Sequence, residues 1–400
     1  MKKYILPLVA LLLLLSSCRK EKLEIVNPHH RRVDNFTQQF EAVWTGIDYG
    51  YLFWDRDTVD WDARHDELLP IFQDFDSRRN VSDDEVAMAY QQLVRGLLDH
   101  HMQVSVRNLL TGHEFSVDPA IFEVPSRPYY HYTYLYNQID ILKSLPGITD
   151  FTEGTGSTRV YTALLPGTGD KKIAYLRFTN FYLTYQCYGN YNGWLPLRKF
   201  FGNDPINGVT DGWAGSDDVE AIIIDVRGNG GGMLQDLRTF MGALAPSRLD
   251  LGYSRTKEGL GRLDYSAWTP FFIDPPANHL DGSKKIVLLT DVNSVSCSEI
   301  TALMVQAIPN AVVIGERTYG ATCPLIDGGN DMLYSGVFGD LEKYGYYVYT
   351  SNFDLVDKNF YSHEGVGVEP DIECLFDIEA LADGHDNQLD RALEFIRSGK

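Results

Sequence analysis

Three short runs of β-branched and apolar residues constrain the chain most: Ile173 to Phe178, Ala221 to Val226 and Ile286 to Thr290. Each has the length of a strand buried on both faces and is too short for a core helix. Helical stretches around Met233 to Leu244 and Glu299 to Ile308 lie between and after them. Buried strands alternating with helices predict a layered α/β core. The closing stretch Asn387 to Ile396 reads as an amphipathic helix. At 400 residues the chain is too long for one small core and suits two or three units.

The residues before this core have a different texture. From Phe36 to about Phe72 the chain is rich in large rings, among them Trp44, Tyr49, Tyr51, Phe53, Trp54 and Trp61. They read as helices that bury aromatics. Ser82 with Glu85 forms a capping box, and Val86, Tyr90, Leu93 and Leu97 make one apolar stripe, so a helix is predicted there. After His100 and His101 the period changes to two, with Met102, Val104 and Val106 on one face. The two histidines therefore stand at a helix-to-strand junction. Residues 119–170 hold many Tyr, Pro and Gly and read as a short β- or loop-rich connector without a PDZ pattern. The expected organisation is an aromatic-rich helical domain over 36–118, this connector, and an α/β core over 171–400.

The first 35 residues read as addressing rather than fold. Lys2 and Lys3 precede an apolar run from Ile5 to Leu15, too short to span a bilayer and suited to a cleaved signal over 1–17. Leu15-Ser16-Ser17-Cys18 resembles a bacterial lipobox, which implies lipidation of Cys18 and a polar tether over 18–35. The expected location is the bacterial cell envelope, with the membrane reached through a lipid anchor. Asp+Glu 55 against Lys+Arg 35 gives −20, which argues against a nucleic-acid partner. Cys187, Cys297, Cys323 and Cys374 are too widely spaced for zinc or a redox pair.

Two segments could carry chemistry. Asp225-Val226-Arg227-Gly228-Asn229-Gly230-Gly231-Gly232 follows a strand, and its glycines let backbone N–H groups approach an anion or an oxyanion. It matches neither a dinucleotide loop nor a P-loop. Asn293-Ser294-Val295-Ser296-Cys297-Ser298-Glu299 follows another strand and opens a helix, where a serine hydroxyl is exposed and the next N–H points outward. Each segment alone reads equally as a turn or a helix cap.

Together, in this order and about 65 residues apart, they resemble the serine peptidases that include C-terminal processing proteases and the tricorn core. Gly315-Glu316-Arg317-Thr318-Tyr319-Gly320 and Glu364-Gly365-Val366-Gly367-Val368-Glu369-Pro370-Asp371 extend the likeness over roughly residues 171 to 373. The resemblance implies a core of the crotonase and ClpP type, built of ββα units, and acyl-enzyme chemistry with no metal and no cofactor. It implies Ser296 as nucleophile, with an oxyanion hole from the backbone N–H groups of Cys297 and a glycine of the 230–232 run, Gly231 first. The processing-protease branch carries a lysine where this chain has Ala321. The tricorn-like branch uses a histidine from a Leu-x-x-x-His segment and a glutamate before the Gly-x-x-Pro-Asp motif. Leu97 to His101 and Glu364 match those places, giving His101 as general base and Glu364 as the group orienting it. His100 and His363 stay open as bases, and Glu369 or Asp371 as the carboxylate. Asp225 and Arg227 are expected to brace the glycine turn.

The expected activity is cleavage of peptides or unfolded proteins outside the cytoplasm. A non-catalytic ligand- or peptide-binding lipoprotein on the same scaffold is the rival reading, and glycan recognition, resting on 24 Tyr and 6 Trp, the third.

Overall fold

The computed structural model describes residues 32–399 except 157, 186–190 and 325–333; the leader, Cys18 and Cys187 lie outside the described residues. Three helices open the described chain: α1 (Phe36–Gly50), α2 (Trp61–Ser77) and α3 (Asp83–Val94). Each begins at a side chain that accepts an otherwise unpaired backbone N–H. Asn35 caps Gln38, Asp60 caps Ala63, and Ser82 with Glu85 makes the reciprocal box read from the sequence. Their rings form the core, as expected: Phe40 stacks on Phe72 with centroids 4.5 Å apart, and Phe72 meets Tyr90 edge-on at 5.0 Å.

The chain then enters β1 (Gln103–Arg107) and β2 (Glu114–Val117), with Val104 and Val106 fully buried. After α4 (Leu135–Ser144) come β3 (Thr149–Gly154), β4 (Val160–Pro166), β5 (Lys172–Phe178), α5 (Tyr191–Phe201) and β6 (Val219–Asp225). An irregular helical run over 234–244 leads to β7 (Leu249–Arg255), β8 (Thr269–Ile273), β9 (Lys285–Thr290), α6 (Cys297–Gln306) and β10 (Ala311–Gly315). The closing elements include β11 (Val337–Asp340), β12 (Tyr346–Tyr349), β13 (Asp354–Val356), β14 (Ile372–Glu373) and α7 (Asn387–Ser398).

A seven-stranded mixed sheet in the order β14-β10-β9-β6-β5-β4-β3 is the centre of the molecule. The first five are parallel neighbours; β4 then pairs antiparallel with β5, and β3 antiparallel with β4. The three apolar runs are β5, β6 and β9, adjacent in the middle and buried on both faces. The helical N-terminal region over a mixed-sheet core follows the sequence reading, and two features of the strand pairing add to it. β3 and β4, from the stretch read as a connector, pair into the main sheet. The second feature is interleaving. β11 and β12, late in the chain, pair with β1 and β2 in one antiparallel sheet, with Val104 opposite Val348.

Candidate active site

The site forms where parallel strands release their chains at one edge of the sheet. β6 and β9 end side by side, Asp225 opposite Leu289, and the loops that follow are bonded to each other. Asn229 O accepts from Val295 N at 2.9 Å and from Ser298 Oγ at 3.0 Å, and Ser294 Oγ donates to Val226 O at 2.9 Å. Ser294 and Ser298 are therefore consumed as braces, while the third serine of the motif, Ser296, is only half-buried.

Ser296 is the cap of α6 and has φ 60°, ψ −115°, a conformation that side chains avoid and that places it at a sharp strand-to-helix turn. Gly231, at φ 84°, packs directly on it: a Cβ there would lie 2.5 Å from Ser296 Cβ. Only glycine permits that approach. The Cys297 N–H opens the helix and has no intrahelical partner by position. The Cys297 thiol bonds Gly232 O at 3.2 Å, and burial pushes it up to about 12, so it stays a neutral packing group. The Gly231 N–H, expected in the oxyanion hole, donates instead to Asn229 Oδ1 at 2.9 Å in this structure.

The brace under the glycine loop is as expected and more extensive. Arg227 Nη2 reaches Asp225 Oδ2 at 2.6 Å and Asp386 Oδ2 at 2.8 Å, and Tyr175 OH donates to Asp225 Oδ2 at 2.7 Å. Burial opposes the charge on Asp225, yet Arg177 and Arg227 hold it down at about 2.

A strap over 316–323 joins this serine helix to the acid side of the site. Glu299, fully buried, accepts from Ser296 N at 3.0 Å, Thr318 Oγ1 at 2.6 Å, Gly320 N at 2.7 Å and Ala321 N at 2.7 Å. Two residues on, Cys323 N donates to Glu364 Oε2 at 2.7 Å, and Gly365 N donates to Gly320 O at 2.8 Å. Glu364 Oε1 in turn accepts His100 N at 2.9 Å. One polar chain thus runs from the serine through the strap to the histidine junction.

At that junction Asp99, His101 and Glu364 gather, their polar atoms all within 4.8 Å of one another. His101 Nδ1 is shut off from solvent without a hydrogen-bond partner, and burial followed by the nearby His100 lowers this imidazole to about 4. It is a neutral ring at neutral pH. Burial, then the charge of Asp99, pushes Glu364 well up. The same three side chains have the composition of a metal-binding group, and His101 and Glu364 are both claimed by the triad reading.

The other two histidines are placed differently. His100 turns its Nε2 to Glu123 Oε2 at 3.3 Å. His363 sets its Nδ1 3.3 Å from Gly367 O, within its own turn. Glu369 pairs with Arg317 at 3.4 Å, and Asp371 accepts from Val313 N at 2.8 Å, so both lie on other partners. Sequence reading passed over Asp99 and saw Glu299 only as a cap. The adjacency of Asp99 to two histidines was the available signal.

A buried glycine loop lies against a strained serine, and the strap links that serine's helix to a histidine–carboxylate group, all within an α/β protein. The sequence profile of peptidase family S41 matches residues 172–374, more than half the chain. The protein belongs to peptidase family S41. Comparison with curated proteins gives no match. Among solved structures, a protein from Parabacteroides merdae aligns with TM-score 0.65 and 18% identity over 92% of this chain and 98% of its own. Mature CPAF complexed with lactacystin aligns with TM-score 0.59 and 12% identity over 90% of this chain and 97% of its own. At such identities the likeness concerns the fold.

Proposed function

We propose that the protein is a serine endopeptidase in which Ser296 attacks the peptide carbonyl, His101 is general base and Glu364 orients the imidazole. Membership of family S41 supports a peptidase, and the observation that carries this version is the strained φ of Ser296 against Gly231, at the end of the polar chain leading to His101. In the first half-reaction His101 takes the Ser296 proton as the Oγ–C bond forms. It returns that proton to the amine as the C–N bond breaks, leaving an acyl-enzyme. Water repeats the sequence to release the acid. The oxyanion is met by the Cys297 N–H and a glycine-loop N–H. For Gly231 to serve, substrate must draw its N–H away from Asn229, so the described state is a resting one. We read the core as belonging to the crotonase and ClpP type. We also propose that Cys18 carries lipid and holds the enzyme on the cell envelope, with peptides or unfolded chains as substrates.

The test uses soluble residues 19–400 and a fluorophosphonate probe, with the adduct mapped by mass spectrometry. Labelling at Ser296 is expected, lost in Ser296→Ala and reduced by at least about 100-fold in His101→Ala. Labelling retained in His101→Ala moves the base to His100 or His363. Folded protein that takes no label and cuts no peptide pool favours the ligand-binding reading.

A further inference from the structure

Asp99 is buried within 4.8 Å of both the imidazole and the carboxylate of the proposed triad, and no step above uses it. Its Oδ1 accepts from His101 N at 3.0 Å and from Ser351 Oγ at 2.9 Å, and its Oδ2 from Ser351 N at 2.8 Å. These bonds fix the main chain of His101 and join it to the segment after β12. They leave the carboxylate within 4.8 Å of Glu364, with the charge of His100 the one nearby influence that favours its ionised form by charge. Arg56 and Arg255 are taken by Asp354. The titratable groups around Asp99 are Tyr51, His100, His101, Tyr349 and Glu364, with Glu299 and Cys323 beyond Glu364. None is a permanent cation. Two carboxylates so enclosed cannot both carry charge cheaply.

We infer that Asp99 is a positioning residue of this site: it fixes the His101 backbone and competes with Glu364 for the one negative charge the pocket holds beside the imidazole. The inference deepens the triad reading and rests on it for its catalytic consequence. While Asp99 is ionised, Glu364 keeps a proton and orients His101 poorly. Burial and then the charge of Asp99 push Glu364 up, and burial pushes Asp99 up against the bonds from Ser351 and His101. A neutral residue at 99 releases Glu364 to ionise at lower pH. The acid limb of Ser296 activation then moves the same way.

The experiment compares wild type, Asp99→Asn and Asp99→Ser by difference infrared spectroscopy against Glu364→Gln, following the carbonyl stretch of the protonated Glu364 acid with pH. Asn places an amide donor against the Ser351 N–H and costs stability. Ser avoids that conflict, and thermal melts establish which variants are folded. The Glu364 band is expected to titrate about one pH unit lower in either folded variant, and Asp99→Glu to restore the wild-type position. A band titrating identically in wild type and the charge-free variants overturns the inference and leaves Asp99 a structural anchor. Fluorophosphonate labelling of Ser296 across the same pH range should show the acid limb displaced downward to match. Wild type that takes no label at any pH sinks the peptidase reading alone, because the infrared titration decides the role of Asp99 without activity.

Discussion

Ser296 holds φ 60°, ψ −115°, while Gly231 presses on its Cβ. Glycine would hold this turn without strain, so the serine costs stability here, as the proposed nucleophile would. Two substitutions at this position should therefore differ in stability. Ser296→Ala retains the Cβ and the strain, whereas Ser296→Gly removes both and should be more stable than the alanine variant by about 1 kcal/mol. Chemical denaturation of both proteins measures the difference, and an alanine variant of equal or greater stability would show that the turn is not strained. From its own segment this serine reads as a helix cap, and only the resemblance of the ordered motifs singled it out. What the sequence could not show was which hydroxyls become braces. Ser294 and Ser298 are removed by partners 68 and 69 residues away. Glu299 was hidden similarly, since its capping bond is local and its bonds to Thr318, Gly320 and Ala321 are not.

Between elements, the segment from Glu123 to Tyr134 lies along the strap and is bonded to it at several points. Arg127 donates to Thr318 O at 2.9 Å and to Tyr319 O at 2.7 Å, and His131 Nε2 meets Glu316 Oε2 at 2.7 Å. The His131 ring also stacks on Phe376 at 4.2 Å. Burial opposes its protonation, but the bonds to Glu316 and Tyr132 O together with the charges of Glu316 and Asp291 outweigh it and raise the imidazole above its ordinary 6.5. A raised histidine stabilises the fold fully below its unfolded value and loses that contribution as pH rises through its folded value. The melting temperature of wild type should thus exceed that of His131→Gln by most below about pH 6.5, and the gap should narrow as pH rises. A gap constant from pH 5 to pH 9 would mean the ring contributes only by packing. The strands β5, β6 and β9 were legible because burial on both faces writes a continuous apolar run. β3 was not, because Thr149–Gly154 sits at the sheet's exposed edge and its composition resembles a loop, while β4 (Val160–Pro166) is buried and fell in the stretch read as a β- or loop-rich connector without its place in the main sheet being foreseen. The pairing of β1 with β12 spans about 240 residues, and no local pattern encodes such a register.

At the scale of the molecule, the helical region and the core are tied together. Asp354, fully buried on β13, receives Arg56 Nη2 from the helical region at 2.6 Å and Arg255 Nε from β7 at 2.9 Å. Arg255 reaches back to Asp55 at 2.6 Å and lies between the rings of Tyr265 and Trp268, 3.8 and 4.4 Å from their centroids. Replacing Asp354 by Asn leaves two guanidinium groups around a neutral side chain, one of them almost wholly enclosed. Breaking a buried pair from one side costs about 3–5 kcal/mol, far more than an exposed pair is worth. Since the broken contact and the β1–β12 ladder both join the same two regions, the loss should lower one shared transition and not detach a domain. Differential scanning calorimetry of wild type and Asp354→Asn tests this: a single endotherm is expected in each, displaced to lower temperature in the variant. A second endotherm in the variant, with the aromatic helices melting apart from the sheet, would mean that the helical region is a separable domain. Such a domain could hold Asp99 and His101 away from Ser296, because the histidine junction is carried by the helical region and the serine by the sheet. A single transition means instead that the proposed base and nucleophile come together only in the completed fold.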